Sequence, residues 1–281
     1  EAVIELSESA EVIAEGTSAN DIATAVAVDN TNSAGLAKGV VAGAGRVTAY
    51  ANGSLDADAT GFNNASASGN AALILAETGS VSATAISGAA SSEVKALSNS
   101  AYNGDAHVEL LDASLASAEA KGVNATARAV ANEVSGAGEA LLKLDAGSTL
   151  LAKGSASSRA QAAGATNFAD EAGGSATASL GGLISVEVSG GIEAEAGGVW
   201  NSSRFGDASI GVLGTSVVKV DASSDFFAIA TGLRNVTESG TARLAVEAGA
   251  DIDVSADGAS YADVAGIENL SVGTGAALSS L

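Results

Sequence analysis

Apolar residues return in this chain every 34 or 35 positions, and no other feature restricts its fold as much. Opening each unit at its leading apolar-phase position gives Ile4, Gly39, Leu73, Val108, Leu142, Ala176, Ile210 and Leu244, with successive spacings of 35, 34, 35, 34, 34, 34 and 34. The phase inside the unit repeats too. Two residues on stand Leu6, Val41, Leu75, Leu110, Leu144, Ala178, Val212 and Val246, all apolar. A second apolar pair follows eight and ten residues on, from Val12 and Ala14 in the first unit to Ile252 and Val254 in the last. Between the pairs, five residues on, comes a small residue each time: Ser9, Ala44, Thr78, Ala113, Gly147, Gly181, Thr215 and Gly249.

A spacing of two puts both members of each pair on one face of a strand, and a small residue lets the backbone turn before the next strand faces the same interior. Each unit therefore reads as one turn of a coil. A third, alanine-lined run follows at Ile22, then Ala57 and Ala59, Ala160 and Ala162, Ala194 and Ala196, Ala228 and Ala230, and Ala262 and Val264, with its register slipping in the units that start at Leu73 and Val108. A period of 34 also suits helical solenoids, but those need apolar spacings of three and four and larger side chains. The predicted fold is all-β, a single parallel β-solenoid of about eight coils spanning residues 1–281 as one domain. At ~4.8 Å per coil it is a rod of about 40 Å. The absence of proline agrees, since proline would remove a ladder hydrogen bond in each coil it entered.

Composition limits function next. The apolar fraction is 47%, yet aromatic residues are only 3%, so the core is built of small side chains. A net charge of −21 repels phosphate backbones and anionic membrane surfaces, which argues against nucleic acid as a partner. No apolar run approaches the ~18 residues of a membrane span. Without cysteine, neither a disulfide framework nor a thiolate metal site is available. A chain that opens EAVIEL rather than with methionine reads as a mature product or a fragment.

The repeat resembles the parallel β-helices of bacterial and archaeal extracellular surface proteins: filament subunits, adhesins and autotransporter passengers. That resemblance implies an extracellular or cell-surface location and a structural or adhesive role. The segment VAGIENLSVGTG, Val264–Gly275, resembles linkers of secreted repeats-in-toxin proteins, but the calcium nonapeptide of that family is absent and its ligands are not carried over.

Chemistry is sparse. The single histidine, His107, precedes an inward position and is expected outside and solvated. Asp251 and Asp253 share a strand face, as glycoside hydrolysis can require, but among 33 acids a solvated outer face is the simpler reading. No catalytic residue is assigned. A polysaccharide-acting β-helix enzyme is the least favoured reading. Sequons at Asn52, Asn64, Asn124, Asn201, Asn235 and Asn269 are candidate N-glycosylation sites, and Trp200, Tyr50 and Tyr102 are candidate sugar-stacking groups.

The ends carry the functional expectation. Ile4 opens the ladder with no preceding helix to cover it, and the next start falls due at 244 + 34 = 278, which is Leu278. An uncovered strand edge invites pairing. The sequence therefore predicts a non-catalytic subunit that stacks head to tail on copies of itself into a surface or matrix filament. The alternative is a piece of an adhesin or autotransporter passenger that binds a host, other surface proteins or polysaccharide. The first basic residue is Lys38 and the last is Arg243, so both terminal coils read as acidic without counter-charge. Glu5, Glu11, Asp251, Asp253 and Asp257 are candidate ligands for a bridging cation between subunits, with Ca²⁺ the natural ion and no other cofactor expected.

Overall fold

The computed structural model describes residues 1–171, 173–273 and 275–280. It is an all-β parallel solenoid of about eight coils, with no helix among the described residues. Each coil has three sides. The first side comprises β1 (Ala2–Leu6), β4 (Ala37–Val41), β7 (Ala71–Leu75), β10 (Ala106–Leu110), β12 (Glu139–Leu144), β14 (Ser175–Leu180), β17 (Ala208–Val212), β20 (Ala242–Val246) and β23 (Ala277–Ser280), paired in that order. The second side comprises β2 (Glu11–Ser18), β5 (Arg46–Gly53), β8 (Ser80–Ser87), β11 (Leu115–Val134), β13 (Thr149–Ala169), β15 (Leu183–Gly190), β18 (Val217–Ser224) and β21 (Asp251–Gly258). On the third side lie β3 (Ala23–Asn32), β6 (Ala57–Ser66), β9 (Ser91–Ala101), β16 (Glu193–Ser203), β19 (Phe227–Thr237) and β22 (Tyr261–Ser271). There β11 and β13 continue unbroken around the corner, so the second and third sides form one sheet.

The strands alternate in burial with the period of two read from the sequence. The second-side ladder keeps the predicted register throughout, Val12–Val47–Val81–Ala116–Leu150–Ile184–Val218–Ile252. On the first side an alanine stands in every coil, from Ala2 through Ala37 and Ala71 to Ala242 and Ala277. Two residues on is the ladder that opens at Ile4. Its second member is Gly39, because Phe62 from the third side occupies that space: a Cβ on Gly39 would lie 2.6 Å from the Phe62 ring. Phe62 is fully buried, and its bulk stands in for the missing side chain.

The predicted first-side register fails in two places. Leu142 pairs with Ala178 rather than Ala176, which falls in the alanine row. Two extra residues in the turn before β14 are cancelled by a corner two residues shorter after it, Gly181 and Gly182, so the coil length stays near 34 and the period hides the shift. At the far end Leu244 pairs with Ser279, one coil of 35 residues later. Leu278 instead pairs with Arg243 and is 53% exposed, since a slip of one residue turns a side chain to the opposite face. The first coil of the third side is also displaced by one: Ala23 and Ala25 point inward, and Ile22 lies exposed.

Most corners after the first side use left-handed backbone, though not always at the small residue, and those at Gly181 and Thr215 do without it. Glu8, Glu77 and Asp112 take positive φ one position earlier than expected, whereas Gly147 and Gly249 take it at the predicted place. The third side bends midway, where two consecutive residues face inward, as at Gly61 and Phe62. The first of these is always alanine or glycine. At Gly164 the reason is contact, since a Cβ there would meet the Ile184 methyl at 2.5 Å.

Candidate functional site: the asparagine ladder and the two end faces

Beyond the bend, the third side carries an inward row that is not apolar. Asn30, Asn64, Asn99, Asn132, Asn167, Asn201, Asn235 and Asn269 stand in register, one in every coil. Each Nδ2 donates to the Oδ1 of the next asparagine: Asn30 to Asn64 at 2.8 Å, Asn64 to Asn99 at 2.7 Å, and so on to Asn235 and Asn269 at 2.8 Å. Each also donates to first-side carbonyls on either side of it, as Asn99 does to Ala71 and His107. These bonds satisfy amides that would be costly to bury alone.

The row runs in one direction. At the opening coil Asn30 donates to Asn64, but its own Oδ1 accepts no hydrogen bond among the described residues. At the closing coil the Asn269 amide donates to the carbonyls of Ala242 and Leu278 and, at 3.1 Å, to Ser279 Oγ, which takes the place the next asparagine oxygen holds elsewhere. One end face therefore offers an acceptor and the other a donor.

Four of the six sequons fall in this row. Asn64, Asn201 and Asn235 are at most 1% exposed, and their amides are fully engaged, so the folded coil has no room for a glycan on them. Asn269 is half-buried and bonded in the same way. Of the other two, Asn124 is exposed and Asn52 half-buried on the outer face. At Asn64, Asn201 and Asn235 the expected N-glycosylation site is thus replaced by a structural role. The signal was present in the sequence, for these asparagines keep the same 33–35-residue spacing as the apolar ladders.

The outer rows carry charge between coils. Lys153 reaches Glu187 at 2.9 Å, Arg159 reaches Glu193 at 2.6 Å, and Arg204 spans Asp170 on one side and Glu238 on the other. Arg234 lies 3.1 Å from Glu268, so the closing coil is not wholly without counter-charge. Register neighbours Asp58 and Glu93 form a carboxylate pair. Partial burial, then the Glu93 charge, raises the Asp58 pKa, while Lys95 and Arg128 lie against Glu93.

The candidate cation ligands are spread over the ends. Glu5 lies on the outer face of β1 and Glu11 opens β2, while Asp251, Asp253 and Asp257 lie exposed on the outer face of β21. Asp251 is the last member of the row that begins with Glu11, but Asp253 and Asp257 belong to the rows of Ile13 and Thr17. Among the described residues no three acidic or histidine side chains gather into a cation site within the chain. His107 faces outward, with Nε2 3.1 Å from Glu109 Oε1.

Tyr50, Tyr102 and Trp200 lie in different coils and form no common surface. The aromatic residues that do come together are others. Phe226, Phe227 and Tyr261 are each about half exposed at the corner between the second and third sides, with the Phe227 and Tyr261 ring centroids 6.4 Å apart.

No protein-family model, curated protein or solved structure matches this chain.

Proposed function

We propose that this protein is a non-catalytic structural subunit that stacks head to tail on copies of itself into an extracellular surface or matrix filament. The observation that carries the reading is the complementarity of the two end faces. Their rows are in register, so a second copy placed on the closing face sets its β2 on β21 and its β3 on β22. Asn269 then meets an incoming Asn30, donor to acceptor, and the buried ladder continues across the joint. The half-buried Ile252, Val254 and Ile267 of one copy become covered by Val12, Ala14 and Val28 of the next. Burying such side chains favours association by roughly 25 cal/mol per Å², and the strand edges gain backbone hydrogen bonds.

The same register brings Glu11 of one copy beside Asp251 of the other, and Asp29 beside Glu268. Of the five candidate cation ligands, only Glu11 and Asp251 are then neighbours, and a calcium ion at the joint would use that pair. Light scattering and negative-stain electron microscopy of the purified chain test the reading. It expects unbranched polymers one coil wide; a single species of 26.8 kDa at every salt and calcium concentration would refute it.

A second reading rests on the exposed Phe226–Phe227–Tyr261 corner, the kind of aromatic surface on which sugar rings stack. In that reading the solenoid displays an adhesive patch toward polysaccharide. Loss of glycan binding in Phe227→Ala and Tyr261→Ala, with assembly unchanged, would support it.

A further inference from the structure

Among the described residues the first side holds nine strands, whereas only eight coils are complete on the second and third sides. The ninth, β23, pairs along the outer edge of β20. A copy that stacks as proposed, with its β2 on β21 and its β3 on β22, brings its own β1 to that same edge, because β1 precedes β2 by one corner within the first coil. Two strands then compete for one slot.

The contents of the slot favour the incoming strand. The five residues of β1 place Ala2, Ile4 and Leu6 in the inward rows that end at Ala242, Leu244 and Val246. The four residues of β23 place Ala277 and Ser279 there, so a hydroxyl lies on Leu244 where every complete coil but the Gly39 coil carries an apolar side chain. All four residues of β23 are exposed. Ser279 Oγ also takes the Asn269 donor that the ladder would pass to Asn30 of the next copy.

We propose that β23 is a provisional edge strand that β1 of a second copy displaces when the two copies join. The proposal rests on the end-to-end reading and specifies how the joint is made. While seated, β23 covers the first-side edge and fills the ladder's terminal acceptor position; once displaced, it leaves Leu244 and Val246 to be covered by Ile4 and Leu6. Strand exchange of this kind is favoured when the incoming strand buries more apolar surface than the one it replaces.

The chain has no cysteine, so introduced pairs report without interference. Outward register neighbours on adjacent strands lie within the Cα separation a disulfide tolerates. In Arg243→Cys/Leu278→Cys, oxidation ties β23 to β20. The expected result is loss of polymerisation while oxidised and recovery of the unmodified rate on reduction. In Arg243→Cys/Val3→Cys, assembly should produce a covalent ladder on a non-reducing gel, because Val3 takes the position of Leu278. Polymers that form equally well with β23 tied down, or that cross-link through Leu278→Cys/Val3→Cys instead, would overturn strand displacement and leave stacking intact. No polymer in any reduced variant would overturn both.

Discussion

Asn64 donates from Nδ2 to Asn99 Oδ1 at 2.7 Å, one coil away in the solenoid interior, and both side chains are at most 1% exposed. An asparagine amide has donors and an acceptor on one flat group, so it can pass a hydrogen bond along a stack whose spacing matches the strand separation. Removing one rung leaves partners on both sides unsatisfied.

Asn99→Ala should therefore cost about 3 kcal/mol, since the Asn132 Oδ1 and two carbonyls lose a donor and each buried unsatisfied group costs about 1–3 kcal/mol. Asn124→Ala, on the exposed outer face, should cost ~0.5 kcal/mol or less. Denaturant midpoints of the two variants compare them directly. Equal shifts would mean that the row contributes nothing by its bonds.

The apolar rows make the matching comparison. Val218 is fully buried between Ile184 and Ile252, and Val218→Asp places an unpaired carboxylate there at a cost of several kcal/mol. Glu5→Gln, on the outer face of β1, should cost ~0.5 kcal/mol or less. If thermal unfolding shifts alike in both, the inward and outward phases are misassigned.

How far the fold was legible follows from which rows are monotonous. The second side repeats Val, Ile, Leu and Ala without slips, and its register could be read directly. The first side misled at Ala176, because a lengthened turn and a shortened corner cancel within one coil and leave the period unchanged. Leu278 misleads because the last coil is 35 residues rather than 34, and one residue reverses the face. The asparagine row was as periodic as the others. Apolar recurrence alone does not reveal it, since burial of a polar residue becomes legible only when its neighbours in adjacent coils are identical and bond to it. The Arg234–Glu268 ion pair was hidden for a related reason, as partners 34 residues apart are adjacent only after the chain is wound.

Assembly should respond to ionic strength. With acidic residues on both end faces, repulsion across the joint is screened as the Debye length falls from ~30 Å at 0.01 M to ~8 Å at 0.15 M salt. Salt should therefore promote polymerisation, and calcium should do so more strongly through the Glu11–Asp251 pair. Glu11→Gln/Asp251→Asn should lose the calcium response and keep assembly in high salt. A calcium response that survives in this variant, followed by turbidity, would place the ion elsewhere.

Acid should loosen the turns. The Thr241 backbone N–H, donating at 2.8 Å, and then Arg243 at 2.7 Å hold the Asp207 carboxyl below its ordinary value. A carboxylate whose folded pKa is depressed contributes stability that is present above its unfolded pKa, about 4, and is lost as pH falls through the lower folded value. Asp207→Asn should remove that contribution at neutral pH and flatten the stability profile below pH ~4. A profile unchanged from the parent chain would show that the two bonds contribute nothing to folding.

The axial repeat of the polymer, measured by electron microscopy with helical averaging, tests the end-to-end account most directly. If each copy continues the coil and its β1 takes the place of β23, the subunit repeat is eight strand spacings, about 38 Å at ~4.8 Å per coil, with the strand spacing parallel to the filament axis. A repeat of nine spacings, about 43 Å, would retain the stack but contradict the displaced strand. Lateral association, with the ~4.8 Å spacing perpendicular to the axis, or particles that never exceed a single chain, would contradict the account itself.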